Sequence, residues 1–213
     1  MDTHNSDGKL FFRTVRIEEG NSAAKSFLEA QWSYFLKTRG YEASRLTVRD
    51  SEGQVPLHHA LYDNHASLGS IKLLLEANPD SLFIADNDDT LPLHVACGRG
   101  SAEIVEYLVD YFATSFGEER RPNIMQKKDK WGNTPLHYAC HYGKCDVVKV
   151  LLGKHKHTVT VSERNNDGKL PIHLFCDPPR IGFYKRRIDP ESVEYTEALW
   201  LLLRNCPETV VNW

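Results

Sequence analysis

Histidine and cysteine crowd one short stretch of this chain, where His137, Cys140, His141 and Cys145 follow one another closely. His137 and His141 stand one helical turn apart, the spacing at which paired imidazoles on a helix hold zinc. A second candidate is Asp86-Asn87-Asp88-Asp89, whose carboxylates suit a hard cation. That run lacks the spacing, the central glycine and the terminal glutamate of a calcium loop. No glycine-rich phosphate loop, G-x-S-x-G elbow or H-E-x-x-H pair is present, so the sequence carries no signature of an enzyme.

The chain-wide pattern favours a structural reading of these residues. Four segments align: Val55-Pro56-Leu57-His58-His59-Ala60, Leu91-Pro92-Leu93-His94-Val95-Ala96, Thr134-Pro135-Leu136-His137-Tyr138-Ala139 and Leu170-Pro171-Ile172-His173-Leu174-Phe175. Their prolines fall at intervals of 36, 43 and 36. His58, His94, His137 and His173 therefore occupy one repeated position, and Cys97, Cys140 and Cys176 another. Proline suits the first turn of a helix, where its missing N–H has no partner to lose. The following Leu or Ile points into a stack, and the His bonds backbone groups of the adjoining turn. Ala60, Ala96 and Ala139 let paired helices approach closely. The three cysteines read as small buried side chains, because helices ~8–10 Å apart hold equivalent positions too far apart for a disulfide.

A turn precedes each motif, at Asp50–Gly53, Asp86–Asp89, Asp129–Gly132 and Asn165–Gly168. A second apolar stretch at helical spacing follows each: Ile71/Leu74/Leu75, Ile104/Val105/Leu108, Val147/Val148/Leu151/Leu152 and Leu199/Leu202/Leu203. Each unit reads as turn, short helix, loop and second helix. The chain thus resembles the ankyrin-repeat family, whose signature is T-P-L-H-x-A in a unit of ~33 residues. Only Thr134 keeps the leading Thr, which weakens a hydroxyl contact at the other helix starts. The resemblance implies an all-α solenoid of helix-turn-helix units with β-hairpin-like finger turns. The repeats run 50–85, 86–128, 129–164 and 165–213, after a tail at 1–4 and a degenerate capping repeat at 5–49. In that first unit Phe11 stands where the proline would be and Arg13 where the His would be. The helix exits Asn78-Pro79-Asp80 and Asn205-Cys206-Pro207 resemble those of arrays from diatoms and related algae.

Composition sets the class. The chain has 213 residues with Lys plus Arg at 26, Asp plus Glu at 29 and a net charge of −3. Near-balance gives no reason to expect nucleic acid or an anionic membrane as partner. No apolar run approaches the ~20 residues needed to span a bilayer, and no secretory signal follows Met1. Five cysteines without C-x-x-C spacing point to free thiols in a reducing compartment, the cytoplasm or the nucleus. No cofactor or metal is expected.

Function must then lie in surface, and the expected partner is a protein bound by a chain that is monomeric when free. By resemblance, contact residues flank each turn and end each first helix. The foremost are Trp131, Lys130, Asn133, Tyr138, His141 and Tyr142 of the fourth repeat, with Asp88 and Arg99 of the third and Tyr62 of the second. Lys169 is the matching position of the fifth. Trp131 sits at a finger tip where its own repeat is not expected to bury it, and aromatic residues dominate interface energetics. Two insertions stand apart, at 113–128 and 177–190. The second carries Arg180, Phe183, Tyr184, Lys185, Arg186 and Arg187, basic residues interleaved with aromatics that suit phosphate or nucleic acid but read first as a solvated charge run, and either insertion offers an assembly contact. The alternatives to a free adaptor are a fixed subunit or assembly factor of a larger complex, and a regulatory piece of a longer protein.

Overall fold

A computed structural model describes residues 49–62, 67–116, 124–154, 159–176 and 191–206. Within them the regular structure is helical: α1 (Pro56–Tyr62), α2 (Leu68–Ala77), a 3-10 turn (Pro79–Phe83), α3 (Pro92–Arg99), α4 (Ala102–Ser115), α5 (Pro135–His141), α6 (Cys145–Lys154), α7 (Pro171–Cys176) and α8 (Val193–Asn205). They fall into two compact units, one ending at Asn87 and one beginning at Asp88. The expected capping repeat at 5–49 lies, but for its last residue, outside the described residues, as does the insertion at 177–190.

Each short helix opens on its motif proline, and the residue ahead of it is extended, as at Leu91 and Thr134. The motif histidine then folds back. Its Nδ1 accepts from the backbone N–H of Val55, Leu91, Thr134 and Leu170 at 3.3, 3.0, 3.1 and 3.0 Å in the four repeats. The proton must therefore sit on Nε2. His94 Nε2 donates to the carbonyls of Lys127 (3.0 Å) and Asn133 (3.2 Å), and His137 Nε2 to that of Lys169 (3.2 Å). The histidine is a strut from one repeat to the next. At α5 the Thr134 hydroxyl adds a 2.8 Å bond to His137 Nδ1, a contact that Leu91 and Leu170 cannot make. Three of the second helices, α2, α4 and α8, begin on serine caps, where Ser67, Ser101 and Ser192 accept from the N–H of Ser70, Ile104 and Tyr195. Each cap stabilises its helix by ~1 kcal/mol.

In the first unit α1 packs on α2, and α2 on the 3-10 turn. In the second, α3, α5 and α7 form an inner row and α4, α6 and α8 an outer row, with each inner helix packed on its outer partner. Ala96 and Cys97 of α3 and Ala139 and Cys140 of α5 are fully buried, where small side chains allow close approach. Ala60 of α1 is only half-buried. Val105 and Val109 of α4 and Val148 and Leu152 of α6 complete the core.

The last repeat departs from this pattern. Cys176 is exposed, correcting the expectation that it is buried like Cys97 and Cys140. Leu203 is 38 % exposed, against 3 % for Val109 and 2 % for Leu152 at the equivalent position. The cause is position in the row: no described helix follows α7 or α8 to cover them. The thiols should separate accordingly. A maleimide added to native protein is expected to label Cys176 first and to spare Cys97 and Cys140 until unfolding, as read by peptide mass spectrometry. Early labelling of Cys140 would contradict the packing.

The insertion at 113–128 is partly structural. Helix α4 has 14 residues against 10 for α6, so it absorbs the start of the insertion, and Ile124 and Met125 are buried near its end.

Candidate interaction surface

Three of the fingers are closed by their first side chain. Asp129 Oδ1 accepts from the N–H of Trp131 (2.9 Å) and Asn133 (2.7 Å). Asp50 serves Glu52 and Gln54 in the same way, and Asn165 serves Asp167 and Lys169. The chain turns at Gly53, Gly132 and Gly168 with φ of 78°, 78° and 74°, where side chains are unfavourable. Asp89 holds this position in the third repeat at φ 59°. The fingers are hairpin-like in their bonds, although no described residue is in a strand.

Neighbouring fingers are tied tip to tip. In the first unit the Asn87 N–H donates to the Glu52 carbonyl at 2.9 Å, and its side-chain Nδ2 donates to the Ser51 carbonyl at 3.0 Å. In the second, the Lys130 N–H donates to the Asp88 carbonyl and the Asn166 N–H to that of Trp131, each at 2.9 Å. Asn166 Nδ2 adds a 3.0 Å bond to the Lys130 carbonyl. The ladder holds Trp131 with 49 % of its surface exposed. Lys130 Nζ lies 5.9 Å from the Trp131 ring centre and 3.1 Å from Asp88 Oδ1.

Behind the tips, half-buried Tyr138 donates its hydroxyl to buried Asp129 at 2.9 Å and meets the His94 ring edge-on at 5.3 Å. Asn133 accepts from Asn165 Nδ2 at 2.9 Å. Tyr138 braces the finger against α5, and Asn133 ties it to the next finger. Half-buried His141 and Tyr142 follow at the helix end, their ring centres 5.0 Å apart. The Tyr142 ring lies against Gly98, where a Cβ would stand 2.9 Å from Cδ2. The Arg99 guanidinium sits over Tyr142 at 5.9 Å. Lys144 Nζ donates to the last carbonyls of the α3 end, those of Arg99 (3.3 Å) and Gly100 (3.1 Å). Burial, and then the charge of Lys169, lowers the pKa of His141.

The second unit thus brings together Asp88, Arg99, Lys130, Trp131, Asn133, Tyr138, His141 and Tyr142. Tyr62, 36 % exposed, belongs to the first unit, and Arg180, Phe183, Tyr184, Lys185, Arg186 and Arg187 lie outside the described residues. Two members of the histidine–cysteine stretch are committed to packing: both His137 nitrogens hold protein partners, and Cys140 is fully buried. Among the described residues no three His, Cys, Asp or Glu side chains are placed to hold a metal ion, and no helix is long and apolar enough to cross a membrane. Sequence reasoning missed Lys144, Gly98 and Trp200. Trp200 of α8 is 56 % exposed beneath the Arg204 guanidinium at 5.0 Å. The available signal was register, because the same outer-helix position holds Glu106 and Lys149 in the preceding repeats.

A family model described as ankyrin repeats (3 copies) matches residues 18–118, 82–162 and 117–177. The chain is also similar to the ANK repeat-containing protein nipk-1 of Caenorhabditis elegans, 35 % identical over 160 residues. That match covers 70 % of this chain and 24 % of the relative, so the chain spans about a quarter of the relative's length.

Proposed function

Because this chain belongs to the ankyrin-repeat family, whose repeats are generally protein–protein interaction modules, we propose that it binds a protein partner through the finger tips and first-helix ends between Asp88 and Tyr142. The observation that carries the reading is Trp131, half exposed on a tip whose backbone is bonded to the fingers on both sides. A large aromatic held in one place meets a partner with little ordering cost. The chain acts by presentation and not by catalysis, as a scaffold or adaptor of the cytoplasm or nucleus that is monomeric when free. Tyr138 and Asn133 hold the tip in place, while Trp131, Lys130, His141 and Tyr142 make the contacts.

Trp131→Ala should leave the helical circular dichroism signal unchanged. It should weaken the partner recovered by affinity capture by ~2 kcal/mol, roughly thirtyfold in a titration. An unchanged affinity moves the surface elsewhere. The edge formed by Cys176, Trp200 and Leu203 favours a second reading, attachment to a larger assembly or a longer protein. A fixed subunit co-purifies in constant stoichiometry, whereas an adaptor does not.

A further inference from the structure

We propose that the open face of α8 seats an amphipathic helix of a partner protein, laid along the stripe formed by Val193, Thr196, Trp200 and Leu203. This seat lies apart from Trp131 and rests on the second reading, attachment through the edge of the last repeat, to which it gives a partner of stated chemistry.

The four residues recur at i, i+3, i+7 and i+10, the spacing of a coiled-coil seam along one side of a helix. Val193 is 67 % exposed, Trp200 56 % and Leu203 38 %, whereas Ala198 and Leu202 on the opposite side are buried. Helix α8 is therefore apolar on both sides, unlike a surface helix that keeps a polar face to water. Thr196 joins the stripe because its hydroxyl donates back to the Val193 carbonyl at 2.9 Å, which leaves its methyl to face outward. Single exposed apolar residues are ordinary, but a contiguous row of them marks an interaction site.

The preceding repeats show what covers such a face. Leu203 stands where α4 has Val109 and α6 has Leu152, and both of those are buried. Helix α6 packs on α4 and α8 on α6, with Lys149 of α6 reaching Glu197 of α8 at 3.0 Å. A helix is thus the shape that this side of an outer helix accepts. Trp200 adds a further requirement. At its position the earlier repeats carry Glu106 and Lys149, both half-buried, whose polar ends suit the edge of a stacking contact. A Trp there gains only from fuller cover, so the occupant reaches further outward across α8 than the array's own helices do, as a separate chain can. A second copy fits less well. With 13 residues, α8 offers a stripe ~20 Å long and about 10 Å wide, roughly 200 Å². A stable dimer buries ~800 Å² on each side, whereas one helix anchored at i, i+3 and i+7 needs far less.

Panning a displayed library of random peptides, each about five helical turns long, against the full chain tests this. Trp200→Lys serves as the counter-selection, and the fold should tolerate it because α6 already carries Lys149 at that position. Clones that prefer the wild type are expected to carry apolar residues at i, i+3 or i+4 and i+7, and to gain helical circular dichroism on binding. They should lose at least about tenfold in affinity for Trp200→Lys and nothing for Trp131→Ala. Should Trp200→Lys fail to fold, Val193→Lys carries the same comparison. Clones that need Trp200 but bind in an extended form would overturn the helix and leave the edge as the place of attachment. No clone that distinguishes the wild type from these variants would overturn the edge itself, which separates the two failures. A dimer of the free chain in sedimentation velocity that Trp200→Lys dissociates would overturn the partner helix in favour of a second copy.

Discussion

Acidifying the protein from pH 6.5 to about 4 is expected to remove ~3 kcal/mol of folding stability through His137 alone. The side chain is fully buried, its Nδ1 accepts from Thr134, and its Nε2–H donates to the Lys169 carbonyl. A protonated ring would have a donor on Nδ1 facing the Thr134 N–H, and its charge would be out of water. Burial accordingly lowers its pKa from 6.5 to about 4, with a smaller opposing effect from the Lys169 bond. The folded form thus refuses a proton that the unfolded chain takes up. The stability is fully present above pH 6.5, falls by ~1.4 kcal/mol per pH unit below it, and levels off under about pH 4. His141, lowered by burial and by Lys169, adds to the loss in the same direction. Urea midpoints measured between neutral pH and the acid limit should decline through this window. His137→Gln should be less stable at neutral pH and show a visibly shallower decline. Parallel slopes for the two proteins would mean that His137 is not the group responsible.

That strut was legible in the sequence because its reason is local. A proline at the first helical position places the histidine two residues later within reach of the N–H ahead of the proline. One P-L-H motif therefore specifies both the helix start and the ring's orientation. The finger turns were equally legible, since Asp or Asn followed three residues later by Gly supplies both the acceptor and the positive φ at Asp129–Gly132 and Asn165–Gly168.

What a repeated pattern does not carry is the neighbour on the open side. Cys176 and Leu203 match buried positions residue for residue, yet both are exposed, because burial belongs to the next repeat and not to their own. Tyr138 shows the converse. Its place on the first helix follows the contact pattern of such arrays, but its hydroxyl is drawn inward by Asp129. Aromatic identity alone could not distinguish Tyr138 from Trp131. The turn could, since a side chain at the tip of a tight finger has no backbone beneath it to bond.

Gly132→Ala is the second large effect, and Gly168→Ala is its control. The two glycines share a conformation, φ 78° and 74°. Placing any L side chain there costs ~1–2 kcal/mol, so that term appears in both variants. Their surroundings differ. A Cβ at Gly132 would lie 2.8 Å from the backbone nitrogen of Asn166, whereas nothing comes within 4 Å of one at Gly168. Asn166 Oδ1, 2.5 Å from that Cβ, can turn aside, but the backbone nitrogen belongs to the N–H that donates to the Trp131 carbonyl at 2.9 Å. It cannot step aside by a change of rotamer, so the fourth and fifth fingers must separate, at an overpacking cost of ~1–3 kcal/mol more. Gly132→Ala should therefore lower stability by ~3 kcal/mol and Gly168→Ala by ~1 kcal/mol, as read from urea midpoints. Equal losses would show that the finger ladder yields freely. The difference bears on function as well, because the bond that breaks first is the one holding Trp131. If rigid presentation underlies binding, Gly132→Ala should weaken the partner although it removes no contact residue, and Gly168→Ala should not.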